Sequence, residues 1–181
     1  MLAILISFSS CSNKLKNDEA TDLISKLPNE IVSGKIKIWF QSSCYGAVDN
    51  AFYKENNQLI KSGILTTPQV FIKEAGMIGS PTYTIKANLT DSAQALIIER
   101  GNEPYQEKTF VVKCGELKFV EVISIFQEDN SKTAEIEYKV VFTTPTMFAD
   151  VATTEPKYDM DMTYTRKKVA KKYDNGWKIE N

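Results

Sequence analysis

The sequence predicts an α+β domain in which N-terminal helices pack on a curved, mostly antiparallel β-sheet. Helical periodicity is confined to the N-terminal part of the 181-residue chain, and β-rich segments separated by turn residues fill most of the remainder. The composition is 43% hydrophobic and 10% aromatic, which is ordinary for a globular domain. A chain of this length is expected to bury a core of its own.

The first element is a short amphipathic helix. Its apolar residues recur at the i, i+3, i+4, i+7 spacing that keeps side chains on one helix face: Ala20, Leu23, Ile24 and Leu27. Asn17 or Asp18 can cap the start, and Pro28 ends the run. This segment is therefore predicted to pack one face against the sheet.

The next segments are a strand and a second helix. Residues 35–40 alternate lysine with β-branched and aromatic residues, as a half-buried strand does, although a helix also fits this pattern. Helical spacing returns over 46–62. Gly63 is suited to the left-handed position that ends a helix, with Ile64 folding back on Leu59.

The second part of the chain is predicted to form strands. The candidates are Thr82–Thr90, Thr109–Cys114, Leu117–Phe126, Ala134–Thr143 and Met162–Tyr173. The clearest is 134–143, where every second residue is apolar and the residues between them are mostly charged. Asn175-Gly176 predicts a hairpin with a type I′ turn. Glycine and proline punctuation near 66–82 marks a potential internal boundary.

Charge and histidine content exclude several functions. The 22 basic and 23 acidic residues nearly cancel to a net charge of -1, so the long-range attraction behind nucleic-acid binding is absent. The chain has no histidine, which excludes histidine-activated nucleophiles and histidine-ligated zinc. We therefore predict no nucleic-acid partner, no cofactor, and no catalytic or metal-binding residue. The sequence favours a non-catalytic module over an enzyme.

The N-terminus carries an export pattern. An apolar run over residues 2–8 is too short to span a membrane and ends in small residues before a cysteine. Phe8-Ser9-Ser10-Cys11 resembles the lipobox of bacterial lipoproteins. The resemblance implies a signal peptide over 1–10, a diacylglyceryl group on Cys11, and a location in the cell envelope with the membrane as partner.

The residues after the lipobox-like motif predict how the chain continues. Residues 12–17 are polar and contain two lysines, as a short linker does. We therefore expect a tether over 11–17 and a single domain over 18–181. If Cys11 carries lipid, Cys44 and Cys114 remain. They either form a disulfide, as an oxidising compartment permits, or stay as separate buried thiols. The sequence leaves both alternatives open.

The C-terminal strands support a second resemblance. The long final strands and the hairpin that carries Tyr173, Trp177 and Ile179 are similar to the closing part of NTF2-like or cystatin-like α+β domains. The resemblance implies a curved sheet around a helix and transfers no site residue. Some NTF2-like domains are enzymes, so an enzyme that uses carboxylate and tyrosine chemistry in a pocket under the sheet is the alternative hypothesis.

Three aromatic residues are candidate ligand or partner contacts: Trp39, Phe148 and Trp177. Exposed coplanar rings around either tryptophan would favour a third hypothesis, a carbohydrate-binding module. The basic run 166–172 is expected to alternate between strand faces and so to form no single patch. The sequence thus predicts an envelope lipoprotein with a binding or structural domain, whose partner is an envelope protein or polysaccharide.

Overall fold

The fold is described from a computed structural model that covers residues 14–45, 48, 50–74, 79–102 and 107–180. The predicted α+β class is confirmed. The helices are α1 (Asn17–Ser25), α2 (Asn50–Lys61) and α3 (Asp91–Gln94). The strands are β1 (Glu30–Trp39), β2 (Gln41–Tyr45), β3 (Gln69–Lys73), β4 (Thr82–Lys86), β5 (Ile97–Arg100), β6 (Glu107–Phe126), β7 (Thr133–Thr143), β8 (Thr163–Tyr173) and β9 (Gly176–Ile179).

The strands form two sheets. The larger sheet has six strands in the order β1-β6-β7-β8-β9, with β5 also paired to β6. The smaller sheet has the order β2-β4-β3. Pairing is antiparallel between β1 and β6, between β5 and β6, between β7 and β8, between β8 and β9, and throughout the smaller sheet. The antiparallel sheet that the sequence predicts is therefore present.

Tertiary contacts divide the chain into two compact units. The first unit comprises Met1–Asn29, Lys118–Val141 and Asp161–Asn181. The second comprises Glu30–Leu117 and Phe142–Met160. The sequence predicts one domain over 18–181 with a sub-boundary near 66–82. In the structure, residues 66–82 lie inside the second unit, where they include β3.

The first unit is built around the apolar face of β7. Its four inward residues in this unit, Ala134, Ile136, Tyr138 and Val140, are all buried, as the alternation predicts. The helix α1 lies against β9 and buries Ala20 and Ile24. The core of this unit therefore contains the apolar face of α1 and the apolar face of β7, and the sequence predicts both faces from their periodicity.

Packing in the first unit begins within the segment that the sequence predicts as a tether. Leu15 is 6% exposed, and its backbone N–H donates to Gln127 Oε1 at 2.8 Å. Lys14 Nζ lies 3.0 Å from Asp129 Oδ1. The lipobox-like motif and Cys11 lie outside the described residues. Any linker after Cys11 is consequently shorter than the predicted 11–17.

The second unit has its core between β1, β6, α2 and the smaller sheet. Its buried apolar side chains include Ile36, Ile38, Phe52, Leu59, Ile64, Ile85, Phe110 and Val112. The buried Asn56 of α2 donates from Nδ2 to the carbonyl oxygen of Trp39 at 2.9 Å, which ties the helix to the end of β1. The predicted strand over 35–40 is confirmed for residues 35–39, which belong to β1, while Phe40 lies just after the strand.

The end of α2 matches the predicted capping pattern. Gly63 has a φ of +71°, and Ile64 donates its N–H to the Leu59 carbonyl at 2.9 Å. Ile64 is fully buried. The glycine allows the left-handed turn that returns the chain to the core.

The final hairpin is present, but its turn differs from the predicted type. Residues Tyr173 and Gly176 are paired, so the two-residue loop is Asp174-Asn175. Positive φ occurs at Gly176 (+108°) and not at Asn175, whereas a type I′ turn requires it at both central residues. The prediction takes Asn175 and Gly176 as the two loop residues, whereas the structure has Asp174 and Asn175 in the loop.

Strand β6 merges two predicted strands. The sequence predicts separate strands over Thr109–Cys114 and Leu117–Phe126, and the alternation of apolar residues changes phase between them. In the structure, the pairing with β1 shifts between Val32 and Ser33, which leaves Cys114 as an extra residue on β6. Cys114 and Gly115 are both buried. A β-bulge, which changes the phase without ending the strand, explains the pattern.

Candidate functional site

The second unit contains a cleft of about 970 Å³, here called the β5–β6 cleft. It is lined by aromatic, cationic and amide side chains: Phe40, Phe110, Arg100, Lys108, Gln41, Asn88, Gln94 and Asn102. Leu89 and Gly101 complete the lining. The volume is near the upper end of the range for small-molecule sites, about 300–1,000 Å³.

The strand register places the cations and one aromatic ring on the same sheet face. Arg100 of β5 is directly opposite Phe110 of β6, and directly opposed residues point to the same side. Lys108 precedes Phe110 by two residues, so it shares that side as well. Phe110 is 3% exposed, whereas both cations are exposed. Within the cleft, this face of the sheet is therefore buried at Phe110 and exposed to solvent at Arg100 and Lys108.

The aromatic wall is fixed by packing. The rings of Phe40 and Phe110 meet edge to face, with centroids 5.9 Å apart and an interplanar angle of 77°. The Phe40 carbonyl accepts the Ala87 N–H at 3.0 Å, which holds the end of β1 against the smaller sheet. Phe40 is half-buried, so part of its ring remains available to a ligand.

Backbone hydrogen bonds hold the segments that carry the amides. The Gly101 N–H donates to the Thr109 carbonyl at 2.8 Å, which extends the β5–β6 pairing toward Asn102. The Asn88 carbonyl accepts from Thr66 N–H at 2.8 Å. Gln94 belongs to α3, which Thr90 caps by accepting the Ala93 N–H at 3.3 Å. The amide side chains thus extend from anchored backbone.

The cleft has an uncompensated positive charge within the described part of the chain. No carboxylate belongs to its described lining, and neither Arg100 nor Lys108 forms an ion pair with a described residue. The nearby pair between Lys37 and Glu107, at 3.4 Å, lies on the opposite face of the sheet because its residues alternate with Ile38 and Lys108. The described lining of the cleft therefore carries a net positive charge.

The predicted aromatic contacts lie elsewhere. Phe148 is fully buried and Trp177 is 8% exposed, with the Lys172 ammonium 5.9 Å from the centroid of the indole ring. Both are core side chains, and their prediction as ligand contacts was wrong. Trp39 is 37% exposed but points away from the cleft, because it alternates with Phe40 along the chain. Among residues 14–45, 48, 50–74, 79–102 and 107–180, no ring is coplanar with either of these two tryptophans.

The sequence analysis missed the residues that line the β5–β6 cleft. These residues occur in short sequence patterns that are easily overlooked. Phe40 stands beside the larger aromatic residue Trp39, and Arg100 ends a four-residue strand just before Gly101-Asn102. Nothing in the chain order indicates that β5 lies beside Lys108. Only the pairing of β5 with β6 brings these residues together.

The two downstream cysteines are separate thiols. Cys44 is half-buried on β2, Cys114 is buried on β6, and no disulfide joins the two. Of the two alternatives that the sequence leaves open, the disulfide between Cys44 and Cys114 is not formed, and of the two side chains only that of Cys114 is buried. Burial raises the pKa of the Cys114 thiol. Its Sγ lies near the Phe148 carbonyl, at 4.0 Å, so this thiol belongs to the packing of the second unit.

The basic residues of β8 are divided between the two faces of the strand, with Lys167 and Lys171 on the more exposed face. Lys167 Nζ donates to Glu135 Oε1 at 2.7 Å, and Lys171 Nζ lies 3.4 Å from Glu180 Oε1. The hydrogen bond and the charge of Glu135 raise the pKa of Lys167. These cations serve cross-strand pairs in the first unit.

A second cavity, of about 360 Å³, contains the residue types that the enzyme hypothesis requires. Tyr158, Asp159 and Lys157 line it, and Tyr158 stacks on Phe142 with ring centroids 6.0 Å apart. However, the Asp159 side chain is 54% exposed and lies 3.6 Å from Lys157 Nζ. The enzyme hypothesis calls for a buried carboxylate. Among the described residues, the buried polar or charged side chains are Ser42 and Asn56.

No helix in the described ranges is long and apolar enough to cross a membrane.

Comparison with known proteins found no matching family model, no matching curated protein and no matching solved structure.

Proposed function

We propose that the chain is a lipid-anchored binding module of the bacterial cell envelope and that the β5–β6 cleft is its ligand site. The observation that carries the proposal is the lining of this cleft. Two cations, four amide side chains and part of an aromatic ring surround a volume of about 970 Å³. Such a set recognises a ligand through hydrogen bonds, charge and ring contact.

The lining favours binding over catalysis. Amide side chains donate and accept hydrogen bonds but do not exchange protons near neutral pH. Arginine remains charged at all physiological pH values. The groups that face the cleft are therefore suited to hold and orient a ligand. Proton transfer would require a carboxylate, thiol or phenol, which the described lining does not contain.

The anchor proposal rests on the resemblance of Phe8-Ser9-Ser10-Cys11 to a lipobox and on the position of the fold relative to it. Leu15 is buried only four positions after Cys11. An extended residue spans about 3.3–3.6 Å, so the anchor would hold the first unit within roughly 15 Å of the lipid surface. We propose that this short distance keeps the module at the membrane rather than on a long stalk.

Fragment binding tests the cleft as the ligand site. We expect a library of small polar aromatic fragments, added to the full chain in detergent micelles, to shift backbone amide signals chiefly at the cleft. Residues 100, 101 and 108 should respond most. The substitution Gln41→Trp fills the cleft from β2 and should abolish these shifts.

The matched control is Ser43→Trp. Ser43 lies two residues along the same strand and on the same face, is exposed, and does not line the cleft. The control should retain fragment binding. Shifts that scatter over the surface, or that survive Gln41→Trp, would contradict the assignment of the cleft as the ligand site.

A further inference from the structure

We infer that the natural ligand of the β5–β6 cleft is an acidic sugar: a polyhydroxylated ring that carries a carboxylate or phosphate held between Arg100 and Lys108. This inference rests on the proposed function and specifies the class of its ligand. The anionic group would meet the two cations, the hydroxyls would meet the amides, and an apolar ring edge would contact Phe40.

The placement of the two cations is the first argument. Arg100 is opposite Phe110, and Lys108 is the diagonal neighbour of Arg100 across the strand pair. Diagonal neighbours of an antiparallel pair are about 7–8 Å apart, close enough for two long side chains to converge on one oxyanion. The like charges of Arg100 and Lys108 repel each other, and an oxyanion between them offsets this repulsion.

The amide side chains are the second argument. Gln41, Asn88, Gln94 and Asn102 each offer both a donor and an acceptor, and they come from four different segments around the cleft. Gln94 Nε2 already donates to the Leu89 carbonyl at 3.4 Å, and a ligand that has an anionic group alone would leave most of the remaining amide groups to water. A polyhydroxylated ring offers each amide a hydroxyl, which both donates and accepts hydrogen bonds.

The aromatic wall is the third argument. Phe40 is half-buried and is held edge to face against Phe110, so its exposed portion presents a fixed apolar surface beside the cations. Sugar rings have apolar C–H faces that pack on such surfaces. A single ring provides a contact without the coplanar platform that the sequence-based carbohydrate hypothesis requires.

Three matched monosaccharides test the ligand class on the full chain in detergent micelles: galacturonate, galactose 6-phosphate and galactose. We expect at least one acidic sugar to shift the backbone amide signals of residues 100, 101 and 108 at concentrations where galactose does not. Removal of the anionic group should weaken binding by about tenfold or more, because charge-assisted hydrogen bonds are lost. The comparison between the two acidic sugars identifies the carboxylate or the phosphate as the preferred group.

Variants localise the effect. Arg100→Ala and Lys108→Ala should each reduce acidic-sugar affinity by about tenfold. Lys54→Ala removes an exposed lysine of α2 that does not line the cleft, so it should leave affinity unchanged. Raised salt should weaken the acidic sugars and not galactose.

The outcomes separate the inference from the proposed function. If galactose binds the cleft as tightly as both acidic sugars, the ligand class is overturned while the cleft remains a binding site. If no sugar shifts the cleft signals but fragments do, the inference is again overturned and the proposed function stands. Failure of both sugars and fragments at the cleft overturns the two together.

Discussion

Two glycines in the second unit let other groups approach the backbone closely. A Cβ atom at Gly115 would lie 2.3 Å from Cε2 of Phe142, and one at Gly34 would lie 2.8 Å from Sγ of Cys114. Both distances are shorter than real Cβ contacts, so any other residue would displace its neighbour. These glycines allow the Phe142 ring and the Cys114 thiol to pack directly against strand backbone.

The buried Cys114 predicts a stability that depends on pH. Burial raises the thiol pKa in the folded state. Below the ordinary thiol pKa of about 8.5, both states keep the proton and this group adds no pH dependence. Above it, the unfolded chain ionises first, so the free energy of unfolding falls as pH rises through the raised pKa. The slope for one proton is at most about 1.4 kcal/mol per pH unit.

Urea unfolding over about pH 7–10 measures this dependence. Cys114→Ala should remove the thiol component and give a shallower alkaline loss than the wild type, whatever its absolute stability. Cys44→Ala, which removes a half-buried cysteine, is the comparison for the loss of a cysteine as such. Equal slopes in all three proteins would contradict the role of Cys114.

At the scale of elements, the end of α2 has the glycine cap that its local sequence predicts. Gly63 has a φ of +71°, and a Cβ there would meet nothing within 4 Å. The cost of a larger residue is therefore backbone strain alone. We expect Gly63→Ala to lower the free energy of unfolding by about 1–2 kcal/mol. Gly63→Asn should cost less, because asparagine tolerates the left-handed conformation.

Ser62→Ala is the matched control for this prediction. It changes the neighbouring exposed position, where the backbone N–H donates to the Gln58 carbonyl at 2.9 Å and alanine keeps that bond. The change should stay within about 0.5 kcal/mol. Unfolding curves in which Gly63→Ala and Ser62→Ala coincide would show that the left-handed turn is not needed.

Elements with a buried face were easier to predict than elements without one. The strand β7 and the helix α1 each show one apolar face in the sequence, and each buries it. By contrast, all five residues of β3 are exposed, including the apolar Val70, Phe71 and Ile72. Strands β2, β3 and β5, which the sequence analysis missed, have at most one buried residue each. Pairing with neighbours, not periodicity, makes them strands.

At the scale of the whole molecule, the anchor proposal makes a prediction in cells. Bacteria that express the full chain and are fed an alkyne-labelled fatty acid should label the protein. Cys11→Ala should abolish the label, because the proposed lipid attaches to the Cys11 thiol. Cys44→Ala changes a thiol in the folded part of the chain, so labelling should persist. Equal labelling of Cys11→Ala and wild type would refute the anchor.

The candidate site could not be predicted from local sequence patterns, because segments that are distant in the chain form it. The site residues come from β2, β5, β6, α3 and the segments beside them, separated by up to about 70 positions in the chain. Arg100 and Lys108 are eight residues apart and appear in the sequence as unrelated surface charges. Their convergence follows from the pairing of Arg100 with Phe110. Sequence reasoning instead favoured large aromatic residues, and two of its three candidates are core residues.

By itself, the sequence determined the α+β class, the faces of α1 and β7, the glycine-capped end of α2 and the final hairpin. Each depends on residues that are close in the chain, where a short-range pattern states which side is buried. Only the tertiary structure decided the two-unit division, the single bulged strand β6, the absence of a disulfide between Cys44 and Cys114, and the β5–β6 cleft. These features depend on which distant segments pair, and pairing is set by packing over the whole chain rather than by any local pattern.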